Sequence, residues 1–571
     1  MRLHQVTIRN FRALANVTVD LDETTVLIGE NNTGKTAFLE ALKLCLSSAA
    51  SRRGEAFDDY DHHLASDQAG IGDAGDTEIV LRFGETRVGE WSPDLVQAIS
   101  EAIFLDGDLQ RVTLRVKASK DAKSSEMVPL WEFLDGADNP LRPRRPVGVV
   151  MRDLQQFKPF FYLSAVRDAA KEFQPKSAFW GPFLRNPAIA DDVRKELEDE
   201  LRELNSKVIS ADSRLKDVKA RLEKTASIVS IQATNAVSIE AVPARARDLL
   251  SRSQVSVSGR SGARLPMARH GAGTQSLSVL FLFEAFLSSM LEDTHGIGSV
   301  PIVALEEPEA HLHPSAARTL WTAISAMPGQ KIVATHSGDL LAKVPLENVR
   351  RFAVDGTGIK VCKVSVGLLS KDDERKIAIH VRGSRGELLF ARAWLFVEGP
   401  TEQWVMGGIA DVLSVDLDQA GVRIIPFVTI GIATLVRLAN ELGIPWFCLS
   451  DGDGSGQAYK RSAVGLLNGA TEADRVLALS ENNIEVHLCT AGLSAPYVAN
   501  ISPQKQGQIT VPATDPAYWD QVCKAQGDKA KEELALEAVD SMRAQGPTCV
   551  PPVLRGVLES VLRLAGGSLA P

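Results

Sequence analysis

The chain has no run of about 20 uncharged apolar residues, the length a membrane-spanning helix needs. Its nearest approach, residues 279–290, is interrupted by Glu284. Its six cysteines (45, 362, 448, 489, 523 and 549) show no C-x-x-C spacing, which argues against a disulfide framework and against a zinc site. Cationic excess is also missing: 63 Lys and Arg stand against 72 Asp and Glu, a net charge of −9. That balance disfavours non-specific nucleic-acid binding by the whole surface but leaves room for a local basic groove. The opening MRLHQVTIRNF alternates like a strand and lacks an apolar signal core. No repeat or low-complexity tract is present. The expectation is a reduced, cytoplasmic protein without a membrane segment. With 571 residues it is too long for one core, so roughly two to four domains are expected.

Alternation predicts strands at residues 3–8, 17–28, 73–83 and 109–116, and a buried strand at 159–165. Helical spacing predicts a helix at 35–46, and the polar, proline-rich stretch 119–146 reads as loop. Leu197, Leu201, Leu204, Val208, Leu215, Val218 and Leu222 recur at three- and four-residue steps among charged residues. Such a helical segment is either an arm that meets a second subunit or a hairpin on its own domain, and spacing does not distinguish them. A helix at 275–291 with strands at 300–305 and 331–335 describes a mostly parallel α/β sheet. Residues 366–386 read as a linker, a second α/β unit begins at 391, and helices at 528–545 and 553–564 close the chain.

GENNTGKT, residues 29–36, fits the phosphate-loop pattern G-x-x-x-x-G-K-[ST] between a strand and a helix. Backbone N–H groups of Gly29, Asn31, Asn32, Thr33 and Gly34 can cradle phosphates, Lys35 can reach the β- and γ-phosphates, and Thr36 can ligate Mg²⁺. The companion PIVALEEPEAHLHP, residues 301–314, ends an apolar strand in two carboxylates. Glu306 suits Mg²⁺ and Glu307 suits activation of the attacking water. His311 and His313 read as a metal pair or, better, as a loop against a partner's nucleotide site. FDDYDHHL, residues 57–64, reads as a loop more readily than as a metal site. Arg167 is a candidate phosphate contact or a surface ion pair, and RPRR, residues 142–145, is a solvated basic loop before it is a phosphate site.

A second constellation is acidic. Glu398 ends an apolar strand, and Glu402 follows in the first turn of the next helix, pointing the same way. Asp451 and Asp453 are two apart at the end of the expected strand 446–450 and project to one side. Glu485, in the strand-like NNIEVHL, is a natural fifth ligand. Hard oxygens without His or Cys favour Mg²⁺ or Mn²⁺ over zinc, and four or five can hold two metals about 3.5–4 Å apart.

RLHQVTIRNFRAL, GENNTGKTAFLEAL, LEEPEAHLHP and ATHSGDLL together resemble the RecF/SMC-like branch of ABC ATPases. The resemblance implies a homodimer or higher homo-oligomer. In it HGAGTQS (residues 270–276), with Gly273 and Ser276, clasps the γ-phosphate bound by the opposite subunit, and His336 is the switch histidine. VEGPTE followed by DGDGSG resembles the Toprim domain. The combination resembles the OLD (overcoming lysogenisation defect) family of endonucleases. This resemblance implies an α/β fold: an N-terminal ABC-type P-loop ATPase with a helical dimerisation insertion, then a C-terminal α/β Toprim domain with a helical extension. The division expected is 1–170 and 251–365 for the ATPase, 171–250 for the insertion, 366–390 for a linker and 391–571 for Toprim. It implies ATP and Mg²⁺ or Mn²⁺ as cofactors, DNA as substrate, and Glu398, Glu402, Asp451, Asp453 and Glu485 as metal ligands. It also implies an assisting lysine, Lys529 first and Lys531 second. Some members have a helicase encoded alongside, and anti-phage defence follows from the resemblance alone. The alternatives are a RecF-like DNA-binding ATPase without nuclease activity and a topoisomerase. The second needs a tyrosine nucleophile, and none of the five tyrosines lies in a recognisable DNA-binding helical module.

Overall fold

The computed structural model describes residues 1–47, 57–64, 75–120, 127–164, 169–174, 176–185, 189–228, 239–250, 255–258, 264–356, 358–383 and 386–568. Three strands open the chain: β1 (Arg2–Phe11), β2 (Leu14–Asp20) and β3 (Thr24–Gly29). The single strand expected at 17–28 is therefore two, because residues 21–23 turn, with the Asp22 N–H donating to Thr25 Oγ1 at 2.9 Å. The turn sends β2 and β3 into different sheets. β4 (Thr77–Gly84), β5 (Phe104–Asp106), β6 (Leu109–Lys120) and β7 (Met127–Leu134) join β1 and β2 in an antiparallel sheet ordered β2-β1-β4-β6-β5, with β7 on β6. β7 overturns part of the loop expected at 119–146. Among the described strands it pairs with β6 alone, and such an edge strand tolerates Pro129.

β8 (Phe160–Leu163) and the small hairpin β9 (Ser256–Ser258) and β10 (Arg264–Pro266) precede β11 (Ile302–Glu306), β12 (Gln330–Ala334), β13 (Val349–Asp355) and β14 (Gly358–Lys363). The second sheet runs β14-β13-β3-β12-β11-β8. All of its pairs are parallel except the β13–β14 hairpin. β15 (Ala393–Val397), β16 (Val422–Pro426), β17 (Trp446–Ser450) and β18 (Val476–Ala478) form a third, fully parallel sheet ordered β16-β15-β17-β18.

Strand side chains point alternately to two faces, and the buried residues divide between cores accordingly. On the second sheet Val26, Ile28, Val303, Leu305 and Val333 enter one core. Leu27, Ile302, Ala304, Ile332 and Ala334 enter another, shared with the helix Lys35–Leu46 and the antiparallel sheet. On the third sheet Trp394, Phe396, Trp446 and Cys448 join the first of these cores. Ala393, Leu395, Val397, Phe447 and Leu449 instead pack under the helices Pro400–Val412, Lys531–Gln545 and Pro552–Leu564. One apolar core is thus continuous from the second sheet to the third.

The segment read as a linker carries the helix Lys371–Gly383, whose Ile377 and Val381 are buried in that shared core. Arg351, on β13, crosses the same junction. Its guanidinium donates to the carbonyls of Ala391 at 2.8 Å, Leu442 at 3.1 Å and Gly443 at 3.3 Å. Buried carbonyls that lose their donor cost about 1–3 kcal/mol each and not additively. Arg351→Ala is therefore expected to destabilise the protein by on the order of 2–4 kcal/mol in denaturant titration. A loss under about 0.5 kcal/mol, the range of ordinary surface changes, would contradict this role.

The heptad-like region forms two helices, Asp191–Ala211 and Ser213–Ile228, broken at Asp212. Leu201 is buried, but Leu197, Leu204, Val208 and Val218 are exposed within the single chain.

Candidate nucleotide and carboxylate sites

The nucleotide motifs meet at the C-terminal ends of parallel strands, where open α/β sheets bind ligands. β3 ends at Gly29, whose φ of 148° and closeness to the Phe352 carbonyl (2.3 Å from any added Cβ) require glycine. Asn31 and Asn32 are exposed, Asn32 at φ 61°, and Gly34 at φ 89° caps the helix Lys35–Leu46. Thr33 Oγ1 donates to the Glu30 carbonyl at 2.8 Å. The buried Lys35 ammonium donates to the carbonyls of Gly29 at 2.8 Å and Glu30 at 2.7 Å. Burial lowers its pKa to about 8 against the pull of Glu307 and Glu30.

Glu306 ends β11 and accepts from Thr36 Oγ1 and from the Tyr162 hydroxyl, each at 2.5 Å. The structure thus joins the two halves of the expected Mg²⁺ site and adds Tyr162, from β8, which carries no motif. Glu307 sits in the left-handed region at φ 41°, with His336 Nε2 3.8 Å from its Oε1. Burial, then Lys35, hold the His336 imidazole below its ordinary pKa. Glu309 was also illegible: its Oε1 accepts from Thr335 Oγ1 and from the N–H groups of His336 (3.3 Å) and Ser337 (3.2 Å), fixing the histidine loop.

HGAGTQS opens the helix Ala272–Ser289 as expected. Gly273 lies against the His311 carbonyl, 2.6 Å from any added Cβ, and Ser276 is buried. His313 caps the helix Pro314–Ala326, accepting from the Ser315 N–H. FDDYDHHL is a structural loop: Asp58 and Asp61 form a capping box, Arg12 pairs with Asp61 at 2.8 Å, and His62 meets Met127 Sδ and Thr77. Arg145 pairs with Glu101 and Asp153. Arg167 lies outside the described residues.

The acidic motifs meet on the third sheet. Glu398 follows β15 and Asp451 follows β17, two adjacent parallel strands. The Asp451 N–H points to Glu398 Oε2 at 3.5 Å. Glu402 is buried in the helix Pro400–Val412, its Oε2 accepting from the Gly399 N–H at 2.6 Å. Asp453 caps the helix Gly454–Val464 through the Gly456 N–H at 2.7 Å. The glycines of DGDGSG allow this path: a Cβ on Gly452 would lie 2.3 Å from the Glu481 carbonyl, and one on Gly456 2.0 Å from that of Asp451.

Glu485 stands on a helix, Ile484–Thr490, not on the strand expected; Asn483 caps it by accepting from the Val486 N–H at 2.9 Å. Burial, then Glu402, Glu398, Glu485 and Asp453, raise the Asp451 carboxyl to about 8. Burial likewise raises Glu398 and Glu402. Lys529, the first lysine candidate, forms an ion pair with Glu537. Lys531 instead reaches Glu485, its Nζ 3.7 Å from Oε1.

The donor set is all carboxylate, the chemistry hard divalent cations select, and Asp451 Oδ1 is buried with no hydrogen-bond partner among the described residues. Both features fit a cation. Among the described residues, however, no three such groups form a ready-made metal cage.

Residues 1–387 match the family described as "Protein of unknown function (DUF2813)". Residues 389–453 match the TOPRIM domain of overcoming lysogenization defect protein-like sequences. The chain is similar to Uncharacterized protein YbjD of Escherichia coli (strain K12), 28% identical over 99% of this chain and 100% of that one. It is 23% identical to the Old nuclease of Escherichia phage P2 over 84% of this chain and 77% of that one. It is 21% identical to Endonuclease GajA of Bacillus cereus (strain VD045), over 82% and 78%. With a phosphate loop, a three-sheet α/β architecture and the acidic third sheet in place, the chain belongs to the DUF2813 family and carries an OLD-type Toprim domain behind its ATPase-like unit.

Proposed function

We propose that this protein is an ATP-hydrolysing, divalent-metal-dependent DNA endonuclease whose nucleotide site regulates access to its Toprim site. The observation that carries the reading is the acidic cluster: carboxylates at two adjacent strand ends and on two helices surround an Asp451 oxygen with no hydrogen-bond partner among the described residues, and burial, reinforced by those neighbours, raises Asp451 to about 8. Glu398, Glu402, Asp451, Asp453 and Glu485 would hold Mg²⁺ or Mn²⁺. When bound, such ions supply an activated water and neutralise the leaving oxygen of a phosphodiester. Lys531, whose ammonium lies 3.7 Å from Glu485, would add a cation there. At the other site Thr36, Glu306 and Tyr162 form one hydrogen-bonded set, Glu307 is the base, and His336 stands beside it.

Coupling is supported by Arg392, which precedes β15 and grips both carboxylate oxygens of Glu30 in the phosphate loop at 2.8 Å. The exposed Leu197, Leu204, Val208 and Val218 support a homodimer arm in the 171–250 insertion. Anti-phage defence is the biological role we infer from the OLD-type architecture. One observation favours the alternative of a DNA-binding ATPase without nuclease activity, namely the lack of a closed carboxylate cage among the described residues.

The deciding experiment incubates the full protein with supercoiled plasmid and Mg²⁺ or Mn²⁺. Nicked or linear product is expected; plasmid left intact with both metals leaves only the alternative. In the same assay Lys35→Ala should abolish ATP hydrolysis yet still cleave.

The raised Asp451 carboxyl has a thermodynamic consequence. The folded protein keeps a proton that the unfolded chain loses above the ordinary carboxylate range, so this group favours folding at low pH and ceases to as pH rises toward 8. Cation binding requires the carboxylate and releases that proton. The rise in melting temperature caused by Mg²⁺ should therefore be larger at pH 8.5 than at pH 6. Equal rises would contradict cation binding at Asp451.

A further inference from the structure

Of the six cysteines, three are buried singly: Cys45, Cys362 and Cys448. The Cys549 thiol donates to the carbonyls of Met542 and Gly546. The remaining two face each other, with Cys489 Sγ 3.9 Å from Cys523 Sγ, although 34 residues separate them in the chain. Cys489 lies on the helix Ile484–Thr490 and is 1% exposed; Cys523 lies on the helix Tyr518–Lys524 and is partly exposed. The first helix is the one that carries Glu485, one turn before Cys489 and therefore on the same face. The Tyr497 hydroxyl, buried and without a hydrogen-bond partner among the described residues, feels Glu485 and both sulfurs. The thiol pair thus sits directly behind a carboxylate of the acidic cluster, and nothing in the proposed cleavage chemistry uses it.

We propose that Cys489 and Cys523 are a redox modification site, forming a reversible disulfide with hydrogen peroxide as oxidant, and that the bond shifts the Glu485 helix and suppresses cleavage. The partly exposed Cys523 sulfur meets the oxidant first. It attacks one peroxide oxygen; the S–O bond forms, the O–O bond breaks, and the leaving hydroxide takes the thiol proton as water. The Cys489 sulfur then attacks the Cys523 sulfenic sulfur; the S–S bond forms, the S–O bond breaks, and a second water leaves. Two thiols lose two electrons and the peroxide becomes two waters. A disulfide requires sulfurs about 2.05 Å apart, so the 3.9 Å gap must close by nearly half. Rotation of the two side chains and displacement of the helices Ile484–Thr490 and Tyr518–Lys524 share that movement in the proposal. Metal ligands need placement to within about 0.5 Å, and Glu485 rides on one of the moving helices. The effect on cleavage rests on the metal-site reading above; the bond itself does not.

The test treats the full-length protein with hydrogen peroxide, then alkylates free thiols and maps peptides by mass spectrometry, with and without dithiothreitol. The expected result is a dithiothreitol-sensitive cross-link between the peptides holding Cys489 and Cys523, while Cys549 remains alkylated. Plasmid cleavage by the oxidised protein should fall at least tenfold and return on reduction. Cys523→Ser and, as a second variant, Cys489→Ala should cleave at the untreated rate after the same exposure. Free alkylation of both residues after oxidation, or conversion of Cys523 to a sulfinic acid without a cross-link, overturns the proposal. A cross-link that leaves cleavage unchanged overturns its regulatory half. If the reduced protein cleaves nothing, the metal-site reading fails, and the cross-link is still scored by mass.

Discussion

Asp451→Ala is expected to lower metal-dependent plasmid cleavage by more than about 100-fold, beyond the 10–100-fold that loss of a partner behind a ligand costs. Glu398→Ala should do the same. The two residues end adjacent parallel strands and touch through the Asp451 N–H and Glu398 Oε2. Among the described residues neither side chain accepts a hydrogen bond from another side chain, and Asp451 Oδ1 has no partner there. Removing Asp451 also removes a carboxyl that repels Glu398, Glu402, Glu485 and Asp453. The metal-free variant should therefore be at least as stable as the wild type at pH 8, while losing activity. A variant that cleaves normally, or one that fails because it unfolds, would remove the support for a ligand role.

Glu307→Gln is expected to slow ATP hydrolysis by about 10²–10⁴-fold, the usual contribution of a positioned general base, while ATP binding persists. The reasoning lies in how the loop is built. β11 places Glu306 on Thr36 and Tyr162, so the next residue must turn sharply, and Glu307 does so at φ 41° with its N–H on the Ala334 carbonyl at 2.8 Å. That conformation brings its carboxylate to His336, whose loop Glu309 anchors. Glutamine keeps the shape and hydrogen bonding but cannot accept the proton. Single-turnover hydrolysis measures the step, and filter binding measures nucleotide retention. Unchanged turnover would move the base to another residue.

How much of this is legible in the sequence depends on the kind of signal. GENNTGKT and VEGPTE could be read because each needs a strand, a tight turn and a helix within a dozen residues, and each component leaves its own mark. β11 and β15 were legible as continuous apolar runs, although which face met which core was not. Short alternating runs failed. NNIEVHL alternates over too few residues to separate strand from helix; the informative mark was Asn483, a cap residue, with Glu485 in the first turn. Residues 366–386 looked like a linker because charge dominates, yet Ile377 and Val381, four apart, bury one stripe of a helix. Lys529 was preferred over Lys531 with no motif to fix either, and only the packing of the helix Lys531–Gln545 separates them. Tyr162, Glu309, Arg351 and Arg392 act through partners more than 20 residues away, and no local pattern encodes such meetings.

Binding of Mn²⁺ to the nucleotide-free protein at pH 8, followed by isothermal titration or electron paramagnetic resonance, tests the carboxylate cluster itself, independently of any DNA substrate. Wild type should take up Mn²⁺ saturably, and Glu398→Ala, Asp451→Ala and Glu402→Gln should each lose affinity by tenfold or more, while Lys35→Ala binds as wild type does. Wild-type and Asp451→Ala proteins that bind Mn²⁺ equally well, or not at all, would contradict a cation-holding Toprim site.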